Sequence, residues 1–429
     1  MKPNIRAIGM AGATALVVGN MIGSGVFLLP ASLAPFGGTT LIAWTVTLLG
    51  ALAIAATFAR LAMRWPASGG PYVFARNAFG DLAGFVVGWS YWVSMWCALS
   101  AIAVAFGGSV VALFPALAGG LWPALLAVGV IVLVTAINLV GVREASFAQL
   151  VLTVLKVLPL LLFGGVALWF IEPSRFVPLN PTTQPLPLAV HAAVALTLWS
   201  LLGLESATVP ADDIIDPQRT VPRATVWGTL IAGIATVLAC VAVQGVVPAD
   251  VLAQSPAPMS EAAHRLWGPL AGKFMAVVAA VSCLGALNGW ALLSAQLPMA
   301  AAKDGLMPPL FLRTDARGTP VAGLLVGGTL ATLLVIANYS GSLVSLFTFA
   351  ILLSTAATLL PYVAGCLAWL VKGREGRFVA AIGLAYSAYA LIGTGSESLV
   401  WGLVLVVAGL PVYAWLRWRG RPQSSSSGS

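Results

Sequence analysis

The chain has 429 residues, of which 60% are apolar and only 8% are charged. Because a soluble domain carries about 25% charged residues, this composition excludes a water-soluble protein. The formal net charge is +8, but all except four of the 21 lysines and arginines lie in or beside segments that share one side of the predicted membrane topology. The excess of basic residues therefore reflects the membrane topology and does not indicate nucleic-acid binding. Its one-sided distribution predicts that both termini lie in the cytoplasm.

Apolar runs long enough to cross a bilayer recur along the whole chain. We predict about twelve transmembrane helices, joined by segments too short to form a soluble domain. Their predicted ranges are 8–33, 38–63, 82–113, 121–142, 147–171, 188–211, 221–247, 268–302, 319–338, 342–370, 376–394 and 397–416. The sequence therefore predicts an all-α integral membrane protein with one polytopic domain over residues 1–422. A Ser/Gly-rich tail at 423–429 is predicted to be disordered.

Two short glycine-containing breaks interrupt predicted spans one and six. The first is the sequence GSG at residues 23–25, and the second is WSLLGLE at 199–205. Unwound backbone at membrane depth is tolerated only where it is buried in protein or lines a cavity. Paired breaks at corresponding places in two halves indicate a substrate site near the bilayer midplane. The breaks therefore predict a secondary transporter.

The spacing of the two breaks predicts an internal repeat. Gly23 and Gly203 lie 180 residues apart, or five predicted spans. An odd number of spans per unit forces the second unit to enter the membrane from the opposite face, which predicts a 5+5 inverted repeat. We place repeat one at about 8–171, repeat two at about 188–370, and two additional helices at 376–416.

The first break has the chemistry of an anion site. Gly23 and Gly25 permit non-helical backbone there, and unwinding leaves the half-helix that follows with free N–H groups and the positive end of its dipole, which favour a carboxylate. The Ser24 hydroxyl adds a donor. The alternative is a packing face of small residues, because Gly and Ser are common where membrane helices touch.

Glu205 and Lys156 are charged residues that lie well inside predicted spans. Glu205 is the only acidic residue well inside one, where a charge costs about 2.5–3.5 kcal/mol, so we predict that it carries or loses a proton during transport. The alternative is a structural carboxylate that ties the unwound segment together. Lys156 either snorkels to the membrane surface or bridges spans one, five and eight as a fixed ammonium, where other transporters of this architecture hold a cation.

Trp199 and Trp290 offer ring surfaces to a cationic or apolar side chain. The alternative for both is an interfacial or lipid-facing tryptophan. The four cysteines form no CxxC pair, the chain has two histidines, and no GxxxxGK[ST] loop occurs. We therefore expect no metal, no cofactor and no enzymatic activity.

Four stretches together resemble the amino acid–polyamine–organocation superfamily, and within it the bacterial arginine/agmatine antiporters. They are residues 19–30, 69–80, 198–222 and 284–320. The resemblance implies the fold with broken helices one and six, a position in the inner membrane, and a homodimer.

The resemblance also implies roles for individual residues. Ser24 and Gly25 match positions that hold a substrate carboxylate, and Trp199 resembles an aromatic gate. Trp290 resembles the ring that stacks on the substrate side chain, and Tyr72 resembles a tyrosine implicated in pH sensing. The expected substrate-binding residues are Ile22, Ser24, Gly25, Leu99, Ile102, Trp199, Leu202, Trp290 and Ser354. The expected gating or coupling residues are Tyr72, Tyr91, Lys156, Glu205 and Tyr362.

Three positions depart from the arginine-specific pattern. Arginine-specific members place an asparagine and a methionine around the guanidinium, where this chain has Leu99 and Ile102. Lys156 instead resembles the fifth-span lysine of proton-coupled or sodium-independent relatives that carry neutral or broader sets of amino acids. Two alternatives follow: an exchanger of a cationic amino acid for its decarboxylated amine, and a neutral amino acid permease or exchanger coupled to protons through Lys156.

Overall fold

The computed structural model describes residues 8–140, 146–315, 318–339 and 342–419, so the predicted tail at 423–429 lies outside the described residues. Within the described ranges the chain is helical, and β-type pairing is limited to one isolated bridge between Ile8 and Ile214. The first nine helices are α1 Met10–Met21, α2 Ser24–Leu33, α3 Thr39–Arg64, α4 Pro71–Phe79, α5 Asp81–Leu113, α6 Trp122–Val140, α7 Ser146–Ala167, α8 Leu186–Trp199 and α9 Pro217–Val246. The remaining helices are α10 Ala249–Gln254, α11 Pro258–Trp267, α12 Pro269–Lys303, α13 Val321–Asn338, α14 Leu343–Lys372, α15 Arg377–Gly393, α16 Ser396–Val407 and α17 Leu410–Arg419.

In the described part of the chain, ten helical segments are long and apolar enough to cross a membrane. They are Met10–Phe36, Thr39–Arg64, Asp81–Leu113, Trp122–Val140, Thr153–Phe170, Pro217–Val246, Pro269–Lys303, Val321–Asn338, Leu343–Lys372 and Ser396–Trp418. Two shorter apolar helices, Leu186–Trp199 and Arg377–Gly393, complete the set. These twelve segments match the twelve predicted spans in order, which confirms the prediction of an all-α, multi-pass membrane protein.

The span formed by α1 and α2 lies at the centre of the protein. In its most apolar stretch 94% of the residues are buried, against 11% for the last span. The long helices α5, α12 and α14 pack beside it, with α5 in contact with both of the others. A discontinuous helix in this position has protein on all sides, so its unpaired backbone groups are kept away from lipid.

The first break is shorter than the sequence suggests. Helix α1 ends at Met21 and α2 begins at Ser24, so Ile22 and Gly23 alone leave the helix. Gly23 adopts φ −124° and ψ −128°, which lie outside the α-helical range. The prediction that Ser24 and Gly25 are unwound is therefore wrong: both lie in the first turn of α2, because Gly23 provides the change of direction.

The second break lies where it was predicted, but the α-helix does not resume after it. Helix α8 ends at Trp199, and 3-10 turns at Ser206–Thr208 and Ala211–Asp213 replace the end of the span predicted at 188–211. Both the Thr208 hydroxyl, at 2.6 Å, and its backbone N–H, at 2.8 Å, donate to the Glu205 carbonyl. Pro210 has no N–H to donate to a continuing helix. Local hydrogen bonds thus stabilise a tight turn in place of the predicted helix.

The last span is also divided, which the sequence did not indicate. Helix α16 ends at Val407 and α17 begins at Leu410. The Trp89 indole of α5 donates to the Leu405 carbonyl at 2.8 Å, and a Cβ built on Gly409 would lie 2.7 Å from the Trp89 ring. The large ring of Trp89 occupies the space at the interruption, so the separation follows from packing against α5.

Candidate functional site

The two interrupted helices approach each other at Gly25. A Cβ built on this residue would lie 2.7 Å from the Cβ of Ser200 and 3.3 Å from Cδ1 of Trp199. The first turn of α2 and the turn after α8 therefore approach at a distance that only glycine allows. This contact brings together Gly25 and Ser200, which lie 175 residues apart in the sequence.

The N-terminus of α2 has the properties of an anion site. Ser24 is buried, and its hydroxyl has no hydrogen-bond partner among the described residues. The N–H groups in the first turn of a helix have no intrahelical acceptors, and no side chain caps α2 to replace them. A carboxylate placed here would accept from these N–H groups and from the Ser24 hydroxyl, and it would meet the positive end of the helix dipole.

Trp290 of α12 lies against both breaks. Its indole N–H donates to the Asn20 carbonyl at 3.2 Å, one residue before α1 ends. A Cβ built on Gly203, whose φ is +99°, would lie 3.3 Å from Cζ2 of Trp290 and 3.4 Å from the Ser206 hydroxyl. The ring is thus held between the end of α1 and the second break.

Glu205 is the centre of a buried hydrogen-bond cluster with two tyrosines. One carboxylate oxygen accepts from the Tyr91 hydroxyl of α5 at 2.5 Å, and the other accepts from the Tyr362 hydroxyl of α14 at 2.6 Å. Glu205 is 0% exposed, and the ring of Phe58 packs edge-on against Tyr362. Three residues that the sequence named separately therefore form one unit, which joins the second break to α5 and α14.

Lys156 does not snorkel in this structure. The side chain is 3% exposed, and its ammonium donates to the Gly19 carbonyl of α1 at 2.5 Å. The hydrogen bond joins α7 to α1, which are spans five and one, and the bridge to span eight stays a prediction.

The remaining predicted substrate residues are buried but differ in their surroundings. Ile102 lies three helical turns beyond Tyr91 on α5 and so shares its face of the helix, with Leu99 about one turn nearer. Ile22 and Leu202 are buried within the two breaks. The hydroxyl of Ser354 donates to the Ser94 carbonyl of α5 at 2.8 Å, so its proton holds two helices together and is not offered to a ligand.

Tyr72 belongs to a separate ionic network at the end of α12. Its hydroxyl donates to Asp304 at 2.5 Å, and Arg76, one turn further along α4, pairs with the same carboxylate at 2.9 Å. Arg76 also pairs with Asp81 at 2.9 Å, and Arg417 reaches Asp81 at 3.2 Å. The structure therefore places Tyr72 with charged groups and not beside the breaks.

The sequence analysis did not predict the partners of Tyr72 in this network. Arg76 and Asp304 lie within the recognised stretches 69–80 and 284–320, but only Tyr72 was singled out. The spacing of four residues between Tyr72 and Arg76 places both on one helix face, which is the signal that was available. The identity of the shared acceptor, 232 residues away, required the fold.

Titration of Tyr72 is expected to matter only in strongly alkaline solution. Burial, and then the hydrogen bond to Asp304, raise the pKa of Tyr72 above the ordinary range of tyrosine. The folded protein therefore holds this proton more tightly than the unfolded chain, so the stability it contributes is present below about pH 10 and is lost above it. We expect the difference in thermal unfolding midpoint between wild type and Tyr72→Phe to be constant from about pH 6 to 9 and to shrink above about pH 10.

The control for this experiment is Tyr339→Phe, which removes a hydroxyl that donates to the Gly120 carbonyl at the exposed surface. A Tyr72→Phe difference that changed between about pH 6 and 8, with no such change for Tyr339→Phe, would show that the phenol titrates in the physiological range.

Two interrupted helices that approach each other in the buried interior, among the twelve apolar helical segments of the described residues, are typical of membrane transporters. The sequence model of the amino acid permease family matches residues 8–411. The chain belongs to the amino acid permease family, within the amino acid–polyamine–organocation superfamily. It is a multi-pass membrane transporter for amino acids or amines, and it is not an enzyme.

Relatives with known names cover the chain almost from end to end. It is 31% identical to the putrescine transporter PotE of Escherichia coli strain K12, over 95% of each chain. It is 30% identical to PotE of Haemophilus influenzae, over 98% of this chain and 99% of that protein. It is also 30% identical to the cadaverine/lysine antiporter of Escherichia coli strain K12, over 95% of each chain.

Proposed function

We propose that this protein is an antiporter that exchanges a cationic amino acid such as arginine for its amine product by alternating access. The observation that carries the proposal is the cluster of Glu205, Tyr91 and Tyr362 at the second break, a short distance along the chain from the turn that meets α2. The similarity to a cadaverine/lysine antiporter supports exchange as the mode of transport. The basic residues on one predicted side support an inner-membrane protein with both termini in the cytoplasm.

The proposed pose has two halves. The substrate carboxylate binds the N–H groups of the first α2 turn and the Ser24 hydroxyl, while the side chain extends over the ring of Trp290. Trp199, which lies against Gly25, covers the site as an aromatic gate, and Ile22 and Leu202 line it. An amino acid and its amine product share the cationic half, so one site serves both directions of exchange.

Glu205 acts in this proposal as the gate on the opposite side of the site from Trp199. The two tyrosine hydroxyls connect the second break to α5 and α14, so movement of this break against those helices must separate them. The burial of the predicted substrate residues supports an occluded state in this proposal. A state with both gates closed is an obligatory intermediate when access alternates between two sides.

A second candidate function is transport of neutral amino acids coupled to protons through Lys156. It is favoured by the apolar pair Leu99 and Ile102, which offers a guanidinium no polar partner. In this case Lys156→Ala is expected to abolish the dependence of uptake on an applied pH gradient, because the variant removes the ammonium that bonds to the Gly19 carbonyl. Uptake into liposomes with and without the gradient measures this.

The control for the lysine experiment is Lys273→Ala, a change of the same charge near the start of α12. If Lys156→Ala retains a full response to the pH gradient, proton coupling through this residue is contradicted.

The proposed function is tested by ligand binding to the purified protein. A ligand at 100 times its dissociation constant adds about 2.7 kcal/mol of stability, which a thermal unfolding experiment detects. Stabilisation by arginine, lysine or agmatine, with none from leucine, is the expected result. Stabilisation by neutral amino acids alone would contradict a cationic substrate. In the cationic case the double variant Leu99→Asn, Ile102→Met is expected to sharpen selectivity for arginine, because it adds a polar partner for the guanidinium.

Two further features of the proposal follow from the resemblance and the break spacing. We propose that the protein forms a homodimer, which a measurement of the molecular mass of the detergent-solubilised protein tests. We also include an inverted repeat with units at about 8–171 and 188–370, followed by two additional helices at 376–416.

A further inference from the structure

Five basic residues gather where α3 ends and α14 passes into α15. Arg60 and Arg64 lie one turn apart at the end of α3, while Lys372, Arg374 and Arg377 follow one another along the α14–α15 connection. These residues are referred to below as the α3–α15 basic cluster. The tertiary fold joins the two segments, since a Cβ built on Gly376, whose φ is +67°, would lie 2.8 Å from Cζ of Arg60.

The cluster differs from other basic residues at the same end of the bundle. Arg76, Arg219 and Arg417 each form an ion pair with an aspartate. Within the described residues, no member of the α3–α15 basic cluster forms an ion pair with a carboxylate. Glu375 is the one acidic residue in the α14–α15 connection, which contributes three of the five cations. The cluster therefore carries an uncompensated positive charge.

Several guanidinium donors in the cluster remain available. Arg60 uses one terminal nitrogen for the Ala56 carbonyl at 3.0 Å, and Arg377 uses Nε for the Gly373 carbonyl at 2.9 Å. These backbone contacts hold the two side chains in place but use only a fraction of their five N–H donors each. Lys372 and Arg374 are exposed. A fixed fork of guanidinium donors matches the geometry of a phosphate group.

Large apolar side chains are exposed beside these cations. Met63 of α3 is 48% exposed, Val371 of α14 is 57% exposed, and Phe378 of α15 is 78% exposed. Each is the chain neighbour of a member of the cluster. Basic groups alone would suit any anion, whereas basic groups with adjacent exposed apolar side chains suit a ligand that has a charged head and an apolar tail.

We propose that the α3–α15 basic cluster binds the phosphate head group of an anionic phospholipid, whose acyl chains lie against Met63, Val371 and Phe378. Basic residues near a membrane surface attract anionic lipids with about 1 kcal/mol each. The site connects the end of α3 to the α14–α15 connection, so a bound lipid holds together two parts of the protein that are distant in sequence. The proposal does not depend on which substrate is carried.

The test uses the purified full-length protein in detergent, titrated with phosphatidylglycerol or, separately, with phosphatidylcholine. The measured quantity is the thermal unfolding midpoint as a function of lipid concentration. Phosphatidylglycerol is expected to raise the midpoint of the wild type more than phosphatidylcholine does. In the double variant Lys372→Gln, Arg374→Gln, the phosphatidylglycerol concentration for half of the effect is expected to rise about tenfold or more. Arg60→Gln provides a second, single-site variant if the double variant does not fold.

The matched control is Arg223→Gln, Arg313→Gln, which removes the same charge from two exposed arginines elsewhere in the described chain. Its response to phosphatidylglycerol is expected to stay within about threefold of wild type. Equal losses in the two double variants would overturn the proposal, because they would show a general effect of net charge. Equal stabilisation by inorganic phosphate and by phosphatidylglycerol would also overturn it, in favour of a free anion.

Discussion

Glu205→Gln is expected to slow exchange about 100-fold. The carboxylate accepts one hydrogen bond from the Tyr91 hydroxyl and one from the Tyr362 hydroxyl. Hydrogen bonds to a charged group contribute about 1.5–3 kcal/mol each. A glutamine is neutral, and its amide group presents a donor to one of the two hydroxyls. Losing about 3 kcal/mol from the occluded state raises the barrier between the two open states by the same amount.

Substrate affinity is expected to change much less, by under about fivefold, because both carboxylate oxygens are engaged by the tyrosines and not by the ligand. The measurements are counterflow of labelled arginine in liposomes and equilibrium binding in detergent. The control is Glu261→Gln, which removes a carboxylate paired with Arg265 one turn along α11. Exchange by Glu205→Gln at the wild-type rate would contradict the assignment of Glu205 as a gate.

Gly25→Ala is expected to weaken arginine binding about 10- to 100-fold. The new Cβ would lie 2.7 Å from the Ser200 Cβ and 2.8 Å from the Ser200 Cα, and the Cα belongs to backbone that cannot rotate away. Overpacking of this kind costs about 1–3 kcal/mol. The two breaks must move apart, which displaces the N–H groups of the first α2 turn from the substrate carboxylate.

An amine without a carboxylate makes no use of those N–H groups, so agmatine is expected to lose less affinity than arginine in Gly25→Ala. Isothermal titration of both ligands measures the difference. The control is Gly129→Ala in α6, where the added Cβ meets nothing within 4 Å and binding is expected to be unchanged. Equal losses for arginine and agmatine would show that Gly25 serves packing alone and does not position the carboxylate site.

Hydropathy and glycine placement were sufficient to predict the architecture. A bilayer requires about 20 apolar residues for each spanning helix, so every span leaves a signal that is continuous in sequence. The break near Gly203 was predicted for a related reason, because glycine and polar residues inside an apolar run are rare. The same reasoning failed at Ser206–Thr208, where hydrogen bonds from Thr208 to the Glu205 carbonyl stabilise a 3-10 turn instead of an α-helix.

The resemblance supplied the members of the proposed gate but not their arrangement. Tyr91, Glu205 and Tyr362 lie on three different segments, separated by 114 and 157 residues. Neither periodicity nor composition specifies which tyrosine hydroxyl donates to which carboxylate oxygen of Glu205. Ser354 shows the converse, since its type suits a ligand contact while the fold directs its hydroxyl to the Ser94 carbonyl.

The sequence by itself determined that this chain crosses the membrane about twelve times, that spans one and six are interrupted, and that a carboxyl and an ammonium lie within spans. Each of these properties is local, because it depends on a continuous run of residue types. Only the tertiary structure decided that Lys156 bonds to the Gly19 carbonyl, that Glu205 is shared by two tyrosines, and that Arg60 meets the α14–α15 connection. These contacts depend on how helices distant in sequence pack, and no local pattern specifies that packing.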